Sequence, residues 1–281
     1  MNADVLYTSD LHGSEPHYRE ALDLARDLGV RAILLGGDLA LHGSIAEQHA
    51  FYQDFFLPLF RAHFAASGAA EVWWIMGNDD WAAHVPLLEG AGLPRFRHVH
   101  GRVVPFLDGW SLAGMAHVSA SPFALKDWER WEEGLGPATR WEGFRSSAGG
   151  HSRPFSFVGR EREESLAAEF EAIGRAFPSD ASRVVCMFHA PPHGTALDQI
   201  HGRVHVGSRE VRRFLEARQP ALSLHGHIHE SPDVSGKFAD LLGRTVCVNP
   251  GQSPREPLRA VSFSMSDPAG TLRHTRMGAA S

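Results

Sequence analysis

Three apolar runs punctuate the first eighty residues: DVLYTSD (4–10), RAILLGGD (31–38) and EVWWIMGND (71–79). Each is short and ends in polar turn residues, which predicts buried strands. Between the first two, Leu22, Ala25 and Leu28 recur at helical spacing and predict a helix over 16–28, ended by Gly29. Between the second and third, Phe51, Phe55, Leu59 and Phe60 predict a longer helical segment over 44–66. Strand–helix–strand alternation of this kind implies parallel strands joined by right-handed crossovers. Beyond residue 100 the pattern changes. RVVPF and WSLAGM flank Asp108-Gly109, a hairpin signal. From about 122 to 158 the chain turns rich in Trp, Glu, Arg and Gly and reads as an insertion, partly helical and partly loop. A helix over 160–176 follows. Strands return at RVVCMF (183–188), ALSLH (221–225) and TVCVN (245–249), with a helix at 208–217, and RAVSFSM and TLRHTRM form a final hairpin around DPAG. With no internal repeat, heptad run or low-complexity linker, the pattern predicts one α/β domain over 1–281.

Composition adds limits. At 281 residues and 43% hydrophobic, the chain has material for a large core. A net charge of −6 argues against a generic nucleic-acid binder, though it leaves local basic patches open. The two cysteines, Cys186 and Cys247, lie in apolar runs and read as buried free thiols of a reducing compartment. The N-terminus has no basic stretch followed by an apolar one, and no apolar run approaches the ~18 residues of a membrane span. The expectation is a soluble cytoplasmic protein without a membrane partner.

The chemistry sits where strands stop, the place where open α/β sheets gather ligands. The first run ends in Asp10-Leu11-His12, the second in Gly36-Gly37-Asp38 and the third in Gly77-Asn78-Asp79-Asp80. VVCMF runs into His189, and ALSL runs into His225-Gly226-His227-Ile228-His229. With 18 His and 15 Asp present, about one Asp-x-His and one His-x-His pair are expected by chance, so a single match means little. Asp10 alone could cap a helix, and Asp38 or Asn78 could serve a turn. Five strand ends delivering acids, an amide and imidazoles to one edge is a different matter, because such a gathering is costly without cations. Mixed nitrogen and oxygen donors suit Zn, Mn, Fe, Co or Ni. The donors outnumber one tetrahedral site, and two metal ions sharing a bridging carboxylate account for them better. Spacing alone does not choose among His225, His227 and His229.

In their order, D-x-H, G-D, G-N-D-D, a lone His after a strand and G-H-x-H, these motifs resemble those of the calcineurin-like metallophosphoesterases, over residues 10 to 229. FHAPPHGT, LHGHIHE and VNPG look further like a prokaryotic branch of small phosphoesterases. The resemblance implies a four-layer α/β/β/α sandwich of two mixed sheets flanked by helices. It implies Asp10, His12 and His229 on one metal, Asn78, His189 and His227 on a second, and Asp38 bridging two divalent or trivalent ions. It selects His227 and His229 from the histidine trio and leaves His225 as a supporting or packing residue. The implied reaction is hydrolysis of a phosphate mono- or diester, with a metal-bridging hydroxide as nucleophile. Many hydrolytic members carry His after the Asn, where this chain has Asp79. That carboxyl serves as a general acid only if its pKa is raised, and otherwise shapes the turn. Asp80 is expected to orient ligands or the turn.

For the substrate side, the long loop 190–210 offers His193, His201, Arg203 and His205 as contacts to a phosphate or base, against the plainer reading of a solvated loop. The insertion could form a lid, but packing is the expectation for most of its Trp residues. Two rival functions follow from the same fold. A protein-interaction scaffold should have a degraded metal site, whereas all seven ligand positions here hold competent residues. A phosphodiesterase or nuclease acting on nucleotides or nucleic acid is the second, and cleavage of nucleic acid should bring a basic groove or an added module. The expected partner is a small phosphorylated substrate.

Overall fold

In the computed structural model, which describes residues 3–136, 139–147, 149–253 and 256–280, the apolar runs become short strands whose polar ends project past the sheet. In chain order the main strands are β1 (Val5–Thr8), β2 (Ala32–Leu35), β3 (Glu71–Trp74), β4 (Phe96–His98), β5 (Arg102–Pro105), β6 (Ser111–Met115), β7 (Val184–Phe188), β8 (Leu222–Leu224), β9 (Ala239–Leu242), β10 (Thr245–Val248), β11 (Val261–Phe263), β12 (Arg273–His274) and β13 (Gly278–Ala279). Two mixed sheets result, ordered β13-β12-β11-β1-β2-β3-β4 and β9-β10-β8-β7-β6-β5. In the first, β1 through β4 are parallel neighbours, and β11 joins β1 antiparallel. In the second, β6, β7, β8 and β10 run parallel, with β5 and β9 antiparallel at the edges.

Strand periodicity explains why the sheets stack. Along β7, Val185 and Met187 join Tyr7, Leu34 and Trp73, which share one face of the first sheet, in the core between the sheets. Val184, Cys186 and Phe188 point the other way, against Phe170 and Ile173 of helix Leu166–Ala176 and Phe214 of helix Arg209–Arg218. Both faces of the strand are buried, so its sequence is apolar throughout. On the outer side of the first sheet pack α1 (Glu15–Leu28) and a segment built from α2 (Ile45–Phe51), a π-helical turn (Tyr52–Phe56) and α3 (Leu57–Ala65). Ser44 and Glu47 form a capping box at the start of α2. The layers are therefore α/β/β/α.

Three expectations need correction. The buried residues of α1 are His17, Tyr18, Ala21 and Ala25, with Leu22 partly buried against the core, while Leu28 is 38% exposed. The stretch 122–158 contains no helix among its described residues (137, 138 and 148 lie outside them). It forms a hairpin of Glu142–Ser146 with Ser152–Ser156, and Glu129–Arg130 pairs with Val118–Ser119. Helix-favouring Lys126 and Glu129 are instead buried together, sharing Ser121, so tertiary pairing outweighs local propensity. Within this stretch Trp128 is buried, while Trp141 is 39% exposed. Finally, the edge strands β4 and β9 were not expected from sequence. No helix among the described residues is long and apolar enough to cross a membrane.

Candidate metal centre

Because β1, β2 and β3 lie side by side and parallel, their chain continuations arrive at one edge. The ladder extends past β1, with the Asp10 N–H donating to Gly37 O at 3.0 Å and the His12 N–H to Asp38 O at 2.9 Å. From the second sheet, β7 delivers His189 directly, and β8 delivers the 225–229 turn. Seven described non-glycine residues have positive φ, and four belong here: Asp10 (59°), His12 (43°), Asp38 (49°) and His227 (66°). Such conformations cost about 1–3 kcal/mol each and persist only where the surroundings impose them. Two glycines make room. A Cβ on Gly226 would strike Ser9 Oγ and Asp10 Oδ2, and one on Gly77 would strike the Asp38 carboxylate. Asn249 fixes the 226–228 turn by donating its amide to Gly226 O, Ile228 O and Leu197 O at 3.0–3.2 Å.

The donor atoms converge in two groups that share one residue. Asp10, His12, Asp38 and His229 form the first, and Asp38, His189 and His227 the second, each with ligand atoms within 4.8 Å of one another. His12 Nε2 and His229 Nε2 face each other at 3.1 Å. His189 directs Nδ1 at Gly36 O (2.8 Å), which turns Nε2 toward Asp38 Oδ2 and Asn78 Oδ1, both at 3.3 Å. Asp10 Oδ1 accepts the His227 N–H at 2.9 Å, while Oδ2 is buried with no hydrogen-bond donor among the described residues. A buried acceptor left open beside opposed imidazoles fits a pair of cations. The chain holds a dinuclear metal centre.

Electrostatics agrees. Burial would raise the Asp10 carboxyl, but hydrogen bonding and charge from His229, with charge from His189, bring it to about 2. Against the same burial, His189, His12 and the Asp79 N–H hold Asp38 far below the usual carboxylate range. Burial would lower His189 and His229, yet Asp38 and Asp10 raise both to about 9. Without metal, protons occupy the seats that cations would take.

Behind the ligands, Asp80 accepts N–H groups from Leu39, Ala40 and Gly77 at 2.8–3.0 Å and the Tyr52 hydroxyl at 3.3 Å. Burial and the Asp38 charge push its carboxyl up to about 7. Gln48 donates to Asp79 O at 2.6 Å and accepts the Trp81 N–H at 2.9 Å, clamping the turn that follows β3. Asp79 donates its own N–H to Asp38 Oδ1 at 2.8 Å. Its carboxyl, raised by burial and by Asp38, has Oδ2 at 3.3 Å from His42 Nδ1 and 3.6 Å from His12 Nδ1. His225 stands apart, with Nδ1 2.9 and 2.8 Å from Phe188 O and Ala190 O, and burial drives it down to about 4.

A cavity of about 680 Å³ opens onto Asp38, Asn78, Asp79, His227 and His229, and His193 and His205 also line it. His201 and Arg203 do not; they are exposed at the tip between the short strands Gln199–Ile200 and Val204–His205. What organises this loop is Asp198, fully buried, which accepts the N–H groups of Gly194, Thr195 and Gly207 at 2.9–3.0 Å and contacts His205 Nδ1 at 2.7 Å. Glu132 ties the 122–158 segment to the same loop through Ser208 Oγ (2.5 Å) and the Arg209 N–H (2.8 Å). Sequence reasoning passed over Asp198, Glu132 and Gln48. Only Asp198 carries a local signal, as a lone acid in a glycine-rich loop.

The family described as Calcineurin-like phosphoesterase matches residues 3–231. Among curated proteins, none matches the chain. Several solved structures share the fold. TT1561 of Thermus thermophilus is 17% identical, with a TM-score of 0.60 over 99% of this chain and 100% of that one. A phosphopantetheinyl hydrolase from Mycobacterium tuberculosis is 16% identical (TM-score 0.54; 98% and 97% covered). A dimetal phosphatase from Danio rerio is 11% identical (TM-score 0.52; 98% and 95% covered).

Proposed function

Since the chain belongs to the calcineurin-like phosphoesterase family and is a metal-dependent phosphoesterase, we propose how its residues divide the work. Asp10, His12 and His229 would hold one ion, Asn78, His189 and His227 the other, and Asp38 both. The observation that carries this division is that Asp38 alone is common to the two donor groups. When bound at these residues, the metal pair would supply Lewis-acid chemistry, lowering the pKa of a water nucleophile and offsetting charge on the phosphoryl oxygens. The chain's own residues do the rest. Asp80, Gln48 and the Asp79 N–H keep the Asp38 and Asn78 turns in register. The Asp79 carboxyl faces the cavity with a raised pKa, which supports proton delivery to a leaving group. His193 and His205, steadied by Asp198, are placed to contact the substrate.

The substrate is a small phosphate mono- or diester. The domain is taken as 1–281, with 122–158 as its insertion, and the protein as cytoplasmic, a reading supported by two buried free thiols. The test is metal content by mass spectrometry, with the same preparation assayed on paired aryl phosphate mono- and diesters. Two ions per chain and hydrolysis of at least one ester are expected. Fewer than about one ion and no turnover, even after reconstitution with Mn, would sink the reading.

A further inference from the structure

The cavity beside the metal ligands is larger and less polar than a phosphate group needs. At about 680 Å³ it falls in the range that encloses whole organic ligands. Its large apolar wall residues are Phe123, Leu135, Ile200, Val204, Val206 and Ile228, set among polar ones that include Ser121, Thr139 and Ser208. Three of these are conspicuously uncovered: Phe123 is 50%, Val204 54% and Val206 39% exposed. Only nine large hydrophobics are exposed among the described residues, so a third of them open into one cavity. Apolar side chains concentrated in this way mark a binding surface.

The apolar wall is continuous with the chemistry, because Ile228 lies between ligand residues His227 and His229 in the chain and lines the same space. Charge points the same way. Arg209 is the one Arg or Lys among the lining residues, while Glu132, Glu230, Asp38 and Asp79 bring carboxylates. A polyphosphate or nucleic-acid strand would need several cations along its path, which this cavity does not offer. Burial lowers the pKa of His193, so this wall residue is disposed to be neutral.

We infer that the substrate's organic group is uncharged and largely apolar, a phosphate ester of an alkyl chain or aryl alcohol seated between the 122–158 segment and the loop after β7. This rests on the phosphoesterase reading above, and it can fail separately from it. The experiment is calorimetric titration of the Mn-reconstituted full chain with ethyl-, butyl- and octylphosphonate, which carry the anionic head and are not hydrolysed. A fourth ligand carries an oligoether chain of octyl length. Octylphosphonate should bind at least about tenfold tighter than ethylphosphonate, the yield of burying roughly two methylenes, and the oligoether should gain little. The octyl-to-ethyl ratio should shrink in Phe123→Ser and Val204→Ser, whose exposed side chains spare the fold. Metal-dependent binding of all four with equal affinity would overturn the inference and leave the phosphoesterase reading intact. Binding of none, with or without Mn, would overturn both. A concentration-dependent dimer abolished by Phe123→Ser, with no effect of chain length, would overturn it in favour of a second copy of this chain.

Discussion

Asp38→Asn isolates the feature that makes the centre dinuclear. Asp38 is 1% exposed; its Oδ2 lies 3.3 Å from His189 Nε2 and 3.7 Å from His12 Nε2, and its Oδ1 accepts the Asp79 N–H at 2.8 Å. Asparagine preserves the volume and an acceptor for Asp79, so the turn after β3 should survive. What disappears is one negative charge serving two donor groups. Two charge-assisted contacts at about 1.5–3 kcal/mol each amount to about 3–6 kcal/mol. At 1.36 kcal/mol per decade, that is roughly a 10²- to 10⁴-fold loss in metal affinity or turnover. Asp38→Ala should lose more, because it also strands the Asp79 N–H. Dialysed protein would be analysed for metal by mass spectrometry and for initial rate on p-nitrophenyl phosphate and its bis ester, with thermal melting as the folding control. A folded Asp38→Asn protein holding two ions, with turnover within about threefold of the parent, would refute the bridging role.

Other perturbations probe the same centre. In the metal-free fold His189 and His229 titrate near pH 9, against an ordinary value of 6.5. A raised pKa gives stability that is full below about pH 6.5 and lost as pH climbs through about 9, so the Tm of chelated protein should fall across that window. A flat curve for the chelated protein would contradict the ion pairs. If Asp79 delivers a proton, Asp79→Asn should slow alkyl esters far more than p-nitrophenyl esters, whose leaving group departs unaided; equal losses on both would remove the acid role. Gly226→Ala should strip metal and activity together, because the added methyl meets Ser9 Oγ and Asp10 Oδ2, and normal metal content in that variant would show that the turn has slack.

The sequence disclosed the centre more fully than its surroundings, for a physical reason. Buried strands such as VVCMF have to be apolar on both faces, so a polar residue at their end stands out, and Asp10, Asp38, Asn78 and His189 were visible that way. Telling His225 from its neighbours needed the family's Gly-His-x-His pattern, and the structure gives a local cause: the left-handed turn at His227. The edge strands FRH and ADLL escaped notice because three or four half-covered residues leave no periodic trace. Asp198, Gln48 and Glu132 escaped because their roles depend on partners the fold brings near. Gln48 meets residues 79 and 81, and Glu132 meets residues 208 to 210. The helix expected within 122–158 failed on the same account. Composition favoured it, and burial of Lys126 against Glu129 decided otherwise.

The donors are split between the sheets: Asp10, Asp38 and Asn78 follow strands of one, and His189, His227 and His229 follow strands of the other. Between those sheets the core is apolar side chains, whose attraction is non-directional. At this end the contacts are directional instead: His189 Nδ1 meets Gly36 O at 2.8 Å and Asp10 Oδ1 accepts the His227 N–H at 2.9 Å. An occupied centre would therefore act as a rivet through an already pinned seam, cross-bracing two slabs rather than two neighbouring loops.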